Sequence, residues 1–255
     1  MTHSEDLTVP ERKIMEFIRR LREAAGSNLE CVILYGSALT GEYDPEFSDI
    51  NLLCILRDAS LPALEALAPA VKWWNKQRQP APLILARQEL QRSAEVFAIE
   101  FTDIKAQHRV LYGDNPIASL QISVQMRQAQ LEYEMREKLI LLRQELLFVA
   151  GDRKRTWDLL RRSLPAFATL CRHVLIAKGD SVPSTKREGI QALASSVGFD
   201  GSALLEVLDI REHKRTREKT ATSGLAARYL AAVEQMAAAV DVLSGGPGSS
   251  RRQAL

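Results

Sequence analysis

The run Cys31-Val32-Ile33-Leu34-Tyr35 breaks off at Gly36-Ser37, and a second apolar run, Ile50 to Leu56, begins directly after Ser48-Asp49. Continuous apolar and β-branched residues of this length, bounded by glycine, proline and small polar residues, fit buried strands. Two buried strands joined by a short polar segment require a sheet in this part of the chain, and whatever else the chain forms must cover that sheet.

The surrounding residues supply the cover. Thr8 and Glu11 have capping-box spacing, Pro10 suits a first helical turn, and Ile14, Phe17, Ile18 and Leu21 then recur on one face until Gly26. Ser60 and Pro62 open a second helix running to about Arg78. Leu83-Ile84-Leu85-Ala86 reads as a third strand, and Val96 to Ile104 as a fourth. Beyond the turn cluster Tyr112-Gly113-Asp114-Asn115-Pro116 the pattern becomes helical throughout. The longest helix is expected from about Ser119 to Ala150, with Met126, Tyr133, Leu139, Leu142, Leu146 and Val149 as its apolar stripe. A helix from Arg153 to Ala177 should kink or break at Pro165, and shorter helices are expected over Thr185–Val197, Ser202–Arg215 and Gly224–Leu243. The reading is an α+β domain over residues 1–116, a helical bundle over 117–245, and a tail over 246–255 with no packing signal.

Composition narrows the function classes. The 255 residues are 46% apolar with 13 glycines, which fits a packed protein. The 34 Lys and Arg side chains nearly balance 32 Asp and Glu, so no global field draws the protein to nucleic acid or an anionic membrane. Cys31, Cys54 and Cys171 lie far apart among apolar neighbours and read as buried thiols, without metal spacing or a disulfide framework. No apolar stretch approaches the ~20 residues of a membrane helix, and the cytoplasm is the expected setting.

The chemistry gathers where the first two strands meet their polar ends. Gly36 ends a buried strand without a Cβ, so backbone can approach a phosphate, and Ser37 adds a hydroxyl near the start of a short helix. Residues 38–48 separate Ser37 from Asp49-Ile50-Asn51-Leu52. Strand alternation puts Asp49 and Asn51 on one face while Ile50 and Leu52 enter the core. Taken singly, Gly36-Ser37 is a strand-ending turn, Asp49 a cap and Asn51 an edge residue. Their spacing and strand context favour a site.

This constellation resembles the signature of the DNA polymerase β-like nucleotidyltransferase superfamily, which includes kanamycin- and streptomycin-type aminoglycoside nucleotidyltransferases, CCA-adding enzymes and antitoxin-type proteins. That signature is an apolar residue, Gly-Ser or Gly-Gly, a spacer of this size, then Asp-apolar-Asp/Glu-apolar. The resemblance implies a nucleotidyltransferase fold with a mixed sheet, Gly36 and Ser37 as nucleotide-binding residues, and Asp49, Asn51 and Glu100 as catalytic positions. It further implies that Asp49 and a third carboxylate, matched by Glu100, hold Mg²⁺ or Mn²⁺. Asp103 is the rival for that role; on a strand it would face away from Glu100. Asn51 departs from the family pattern, because an amide oxygen is a weaker ligand for Mg²⁺ than a carboxylate. Glu42, Asp44 and Glu46 lie in the spacer and could fold back to compensate.

The implied reaction is transfer of a nucleotidyl group, AMP from ATP, to a hydroxyl acceptor that the residues do not identify. The alternative is a nucleotide-binding or protein-interaction module that keeps the fold with impaired catalysis, which Asn51 favours. The helical half resembles the substrate-binding bundles that accompany such domains, and a homo-oligomer is compatible with it. Neither His173 nor His213 has an arginine at the upstream distance of a HEPN ribonuclease motif. His108 reads as a surface residue. The cationic run Arg211, Lys214, Arg215, Arg217 and Lys219 lacks the interleaved aromatics of a nucleic-acid surface and reads as a solvated helix end.

Overall fold

The computed structural model describes residues 9–39, 48–183, 185–212, 222–243 and 245. The chain divides into two compact units, Met1–Ser123 and Val124–Leu255. Thr8, the acidic residues Glu42, Asp44 and Glu46, most of the cationic run (Lys214, Arg215, Arg217, Lys219), His213 and the 246–255 tail lie outside the described residues.

In the first unit, helix α1 (Val9–Ala25) leads to strand β1 (Leu29–Tyr35) and a 3₁₀ turn, Gly36–Leu39. Strand β2 (Asn51–Leu56), helix α2 (Leu61–Lys76) and strand β3 (Leu83–Ala86) follow. Helices α3 (Leu90–Val96) and α4 (Ala98–Ala106) then precede strand β4 (His108–Gly113). The strand order is β3-β2-β1-β4, with β1 antiparallel to both neighbours and β2 parallel to β3.

Alternation along β1 and β2 gives the sheet two apolar faces. Val32, Leu34, Leu52, Cys54 and Leu56 meet α1 and α2, where the expected stripe Ile14, Phe17, Ile18 and Leu21 is buried. Phe17 stacks on Trp74 with ring centroids 4.6 Å apart; emptying such a site costs ~3–5 kcal/mol. Cys31, Ile33, Leu53 and Ile55 form the other face, covered by Leu90, Ala94, Phe101 and Ile104 of α3 and α4.

The fourth expected strand, Val96 to Ile104, is helical. Leu90, Ala94, Ala98, Phe101 and Ile104 are buried at steps of three and four residues, which is a helix stripe, and the break between α3 and α4 falls at Phe97 (φ −103°, ψ 51°). A short apolar run fits either element until its burial is known. The fourth strand is instead β4, on residues whose sequence reads as a polar exit and a turn. Gly113 belongs to it: a Cβ there would lie 1.8 Å from the Glu30 carbonyl oxygen, so only glycine allows β4 to close on β1.

The second unit contains helices α5 (Val124–Val149), α6 (Arg153–Lys178), α7 (Lys186–Val197), α8 (Ser202–Arg211) and α9 (Thr222–Leu243). Helix α6 packs against the other four. Thr185 caps α7 in the box its spacing requires: its hydroxyl accepts from the Glu188 N–H at 3.2 Å, and the Glu188 carboxylate accepts from the Thr185 N–H at 3.4 Å.

Two expectations fail here. Met126 and Tyr133 are exposed, and α5 buries Leu131, Met135, Leu139, Leu142 and Val149 instead. Helix α6 runs through Pro165 without interruption. A proline has no N–H for the carbonyl four residues back, here Arg161. The Arg211 guanidinium donates to that carbonyl at 3.3 Å, supplying the bond that Pro165 cannot make.

Candidate functional site

Gly36 turns the chain out of β1 with φ +79°, a conformation that side chains rarely adopt. The turn holds Ser37, half-buried, and is tied at its far end by Gln107, whose Nε2 donates to the Leu39 carbonyl at 2.9 Å. The end of α4 thereby fixes the position of the Gly36–Leu39 turn.

Across from it, β2 begins. Ile50 is buried and its N–H donates to the Gln79 Oε1 at 2.8 Å, which anchors the head of the strand. Asp49, just before, is exposed, and Asn51 is half-buried. The burial of Ile50 on the α1–α2 face and alternation put Asp49 and Asn51 toward the opposite face. Asn51 pairs with Tyr35, the last residue of β1, and a Cβ on Gly36 would come within 2.8 Å of the Asn51 Nδ2. Gly36 therefore leaves the room in which the Asn51 amide sits.

Tyr35 pairs on its other side with His108, so Asn51, Tyr35 and His108 form a row across three strands at one end of the sheet. Burial pushes the Tyr35 phenol above its ordinary range, and the Glu100 carboxylate adds to that shift, which puts Glu100 within electrostatic reach of Tyr35. The His108 Nε2 lies 2.9 Å from the Asn115 Nδ2. Because the Asn115 Oδ1 accepts the Ile117 N–H at 3.0 Å, its amide nitrogen must face the ring. With that nitrogen donating, Nε2 is the acceptor of the pair.

The sequence-derived residues thus divide. Gly36, Ser37, Asp49 and Asn51 gather at the junction of β1 and β2. Glu100 stands on α4, a helix, where a spacing of three residues brings Asp103 to nearly the same side. On this helix Glu100 and Asp103 do not face opposite ways. Glu100 is exposed and Asp103 half-buried. Tyr35, Gln79 and Gln107 had no signal of their own, since their roles depend on pairing and on contacts between distant segments.

Among the described residues no group of three His, Cys, Asp or Glu side chains gathers to hold a metal ion. Among the described residues the donors at the head of β2 are one exposed carboxylate, Asp49, and one amide, Asn51. Such a set suits a single hard ion that keeps most of its waters and shares the phosphates of a nucleotide.

Residues 14–106 match the family model for the nucleotidyltransferase domain. No curated protein matches the chain. Among solved structures the chain is similar to spectinomycin adenyltransferase AAD(9) from Enterococcus faecialis, determined with ATP and spectinomycin. The two share 16% identity at a TM-score of 0.58 over 88% of this chain and 98% of that one. A nucleotidyltransferase-like protein from Exiguobacterium sibiricum is 15% identical with a TM-score of 0.36, over 91% of this chain and 77% of that one. The first likeness is one of fold. Together with the family match over residues 14–106 it shows an α+β, nucleotidyltransferase-type fold followed by a helical region.

Proposed function

We propose that this chain, with its nucleotidyltransferase domain over residues 14–106, binds a nucleoside triphosphate at the Gly36–Leu39 turn and transfers a nucleotidyl group to a hydroxyl. The observation that carries the proposal is the junction of β1 and β2. There a positive-φ glycine, the half-buried Ser37 and the exposed Asp49 stand beside the Asn51 amide. Phosphoryl chemistry depends on positioning and charge stabilisation more than on covalent steps, and a glycine turn with a hydroxyl and an amide at its edge provides positioning. ATP is the nucleotide and AMP the transferred group; the acceptor is a small hydroxylated molecule in the cytoplasm. The shared fold with a protein solved with ATP and spectinomycin supports that choice.

Ser37 and the turn amides hold phosphate oxygens, and the Asn51 amide orients the same group. Glu100, within electrostatic reach of Tyr35, receives the acceptor proton in this reading. A divalent ion, Mg²⁺ or Mn²⁺, held by Asp49 with the Asn51 amide oxygen beside it, would neutralise charge on the phosphates. The test is calorimetry with ATP and Mg²⁺, followed by pyrophosphate release over a panel of hydroxylated acceptors. Wild type should bind and turn over, and Asp49→Asn should lose turnover. Absence of ATP binding would sink the reading.

Asn51 favours a second reading, a module that binds nucleotide without turnover, because a neutral ligand replaces an anionic one. ATP binding with no pyrophosphate from wild type, but release from Asn51→Asp, would select it.

A further inference from the structure

Helix α5 is apolar on two sides. Its inner side is buried in the second unit, while its outer side exposes Met126, Tyr133, Ile140 and Leu147, each seven residues from the next, with Leu141 and Phe148 alongside. Tyr133 is 63% exposed, Leu147 79% and Phe148 77%. Apart from Val242, every exposed large hydrophobic among the described residues of this unit lies on α5. A helix on the surface of a bundle ordinarily has one apolar stripe, and one that is apolar all round is covered on both sides.

The extent of the stripe points to its occupant. Six side chains of this size and exposure leave on the order of 700 Å² of apolar surface in water, beyond the about 300–600 Å² of the largest patch on an ordinary monomer. That approaches the about 800 Å² that one partner contributes to a standard interface. Seven-residue spacing from Met126 to Leu147 runs for about 31 Å and is the seam spacing of paired helices.

We propose that this face packs against the same face of a second copy, the two α5 helices antiparallel about a two-fold axis between Arg136 and Glu137. A two-fold interface must complement itself. In the antiparallel alignment Tyr133 meets Ile140 of the second copy and Met126 meets its Leu147. An axis between Arg136 and Glu137 lies at the midpoint of the Met126–Leu147 stripe, so this alignment overlaps the whole of it. Arg136 and Arg143 are drawn toward α9 by Asp241 at 2.6 Å and Glu234 at 2.7 Å, so these cations leave the stripe clear.

Sedimentation of the full chain at tens of micromolar tests this, independently of the nucleotide reading. Wild type should sediment as a dimer. Ile140→Glu with Leu147→Glu should weaken self-association by about a hundredfold or more, since two charges enter an apolar contact, with the urea transition of the dilute protein unchanged. Under mild oxidation a mixture of Tyr133→Cys and Ile140→Cys chains should crosslink between the two species faster than either alone; the native Cys31, Cys54 and Cys171 are buried. A monomeric wild type, a dimer that survives both glutamates, or crosslinking no faster in the mixture overturns the proposal.

Discussion

The Asn51 side-chain amide occupies the space where Gly36 lacks a Cβ: an atom placed there would be 2.8 Å from the Asn51 Nδ2. A turn that would otherwise be judged on backbone freedom alone is thus coupled to the residue that departs from the family pattern. Gly36→Ala must bear both a φ of +79° and that contact, at a combined cost of ~1–3 kcal/mol. The contact portion, and only that portion, should return in Gly36→Ala with Asn51→Ala. Urea unfolding of the four proteins in a double-mutant cycle measures it, and strict additivity would show that the two residues are not coupled.

Asn51→Asp keeps the shape of the side chain and adds a charge two residues from Asp49. Two carboxylates on one face at the head of β2 should bind a divalent ion more tightly than one carboxylate with an amide. Calorimetric titration of Mn²⁺ into the nucleotide-free protein should give higher affinity for the variant. Equal affinities would mean that position 51 does not face the ion.

The parts of the site legible in sequence are those fixed by local rules. Gly36 and Asp49 stand at the ends of apolar runs, and strand alternation alone puts Asp49 and Asn51 together. Glu100 reads as a strand residue because Val96 to Ile104 is apolar enough for a strand or a buried helix. Burial of Ala98, Phe101 and Ile104 decides between them, and that burial is a property of the folded sheet. Strand β4 was illegible for a related reason: His108-Arg109 looks polar, and its place is set by pairing with β1, about 75 residues earlier in the chain. On α5, two apolar sides compete for one core, and the sequence does not say which is inside.

Gln107 makes a single long-range bond, Nε2 to the Leu39 carbonyl. Its loss should cost ~0.5–1.5 kcal/mol at most, because the carbonyl can turn to water. The effect on function should be larger, since the turn that carries Ser37 loses its tether. Gln107→Ala should therefore weaken ATP binding while its urea midpoint scarcely moves. An unchanged Kd would detach the tether from the nucleotide site.

Burial pushes the thiols of Cys31 up to about 11 and of Cys54 and Cys171 up to about 12. In the unfolded chain a thiol ionises near ~8.5. Below that pH both states hold the proton and stability is unaffected. Above it the unfolded chain loses protons that the folded chain keeps, so stability falls as pH rises from about 8.5 toward the folded values, by at most ~1.4 kcal/mol per pH unit for each thiol. Urea midpoints at pH 8 and pH 10 should differ, and Cys54→Ala should reduce the difference. A slope unaffected by that substitution would assign the loss to other groups.

Pro165 and Arg211 form the other coupled pair. Pro165 removes a donor inside α6, and Arg211, at the end of α8, donates to the Arg161 carbonyl at 3.3 Å. A carbonyl left without a partner in a packed helix costs ~1–3 kcal/mol, more than the same bond contributes when water can replace it. Arg211→Met should therefore destabilise the chain by an amount in that range. Pro165→Ala restores an N–H to the helix ladder, after which Arg211 is no longer needed there and Arg211→Met should cost less. This also separates Arg211 from the cationic residues that follow it: a side chain held by a helix backbone stabilises the fold, whereas one free to bind a polyanion would leave the unfolding midpoint unchanged in both backgrounds. If Arg211→Met costs the same with and without Pro165, the bond to Arg161 is not what carries α6 through the proline.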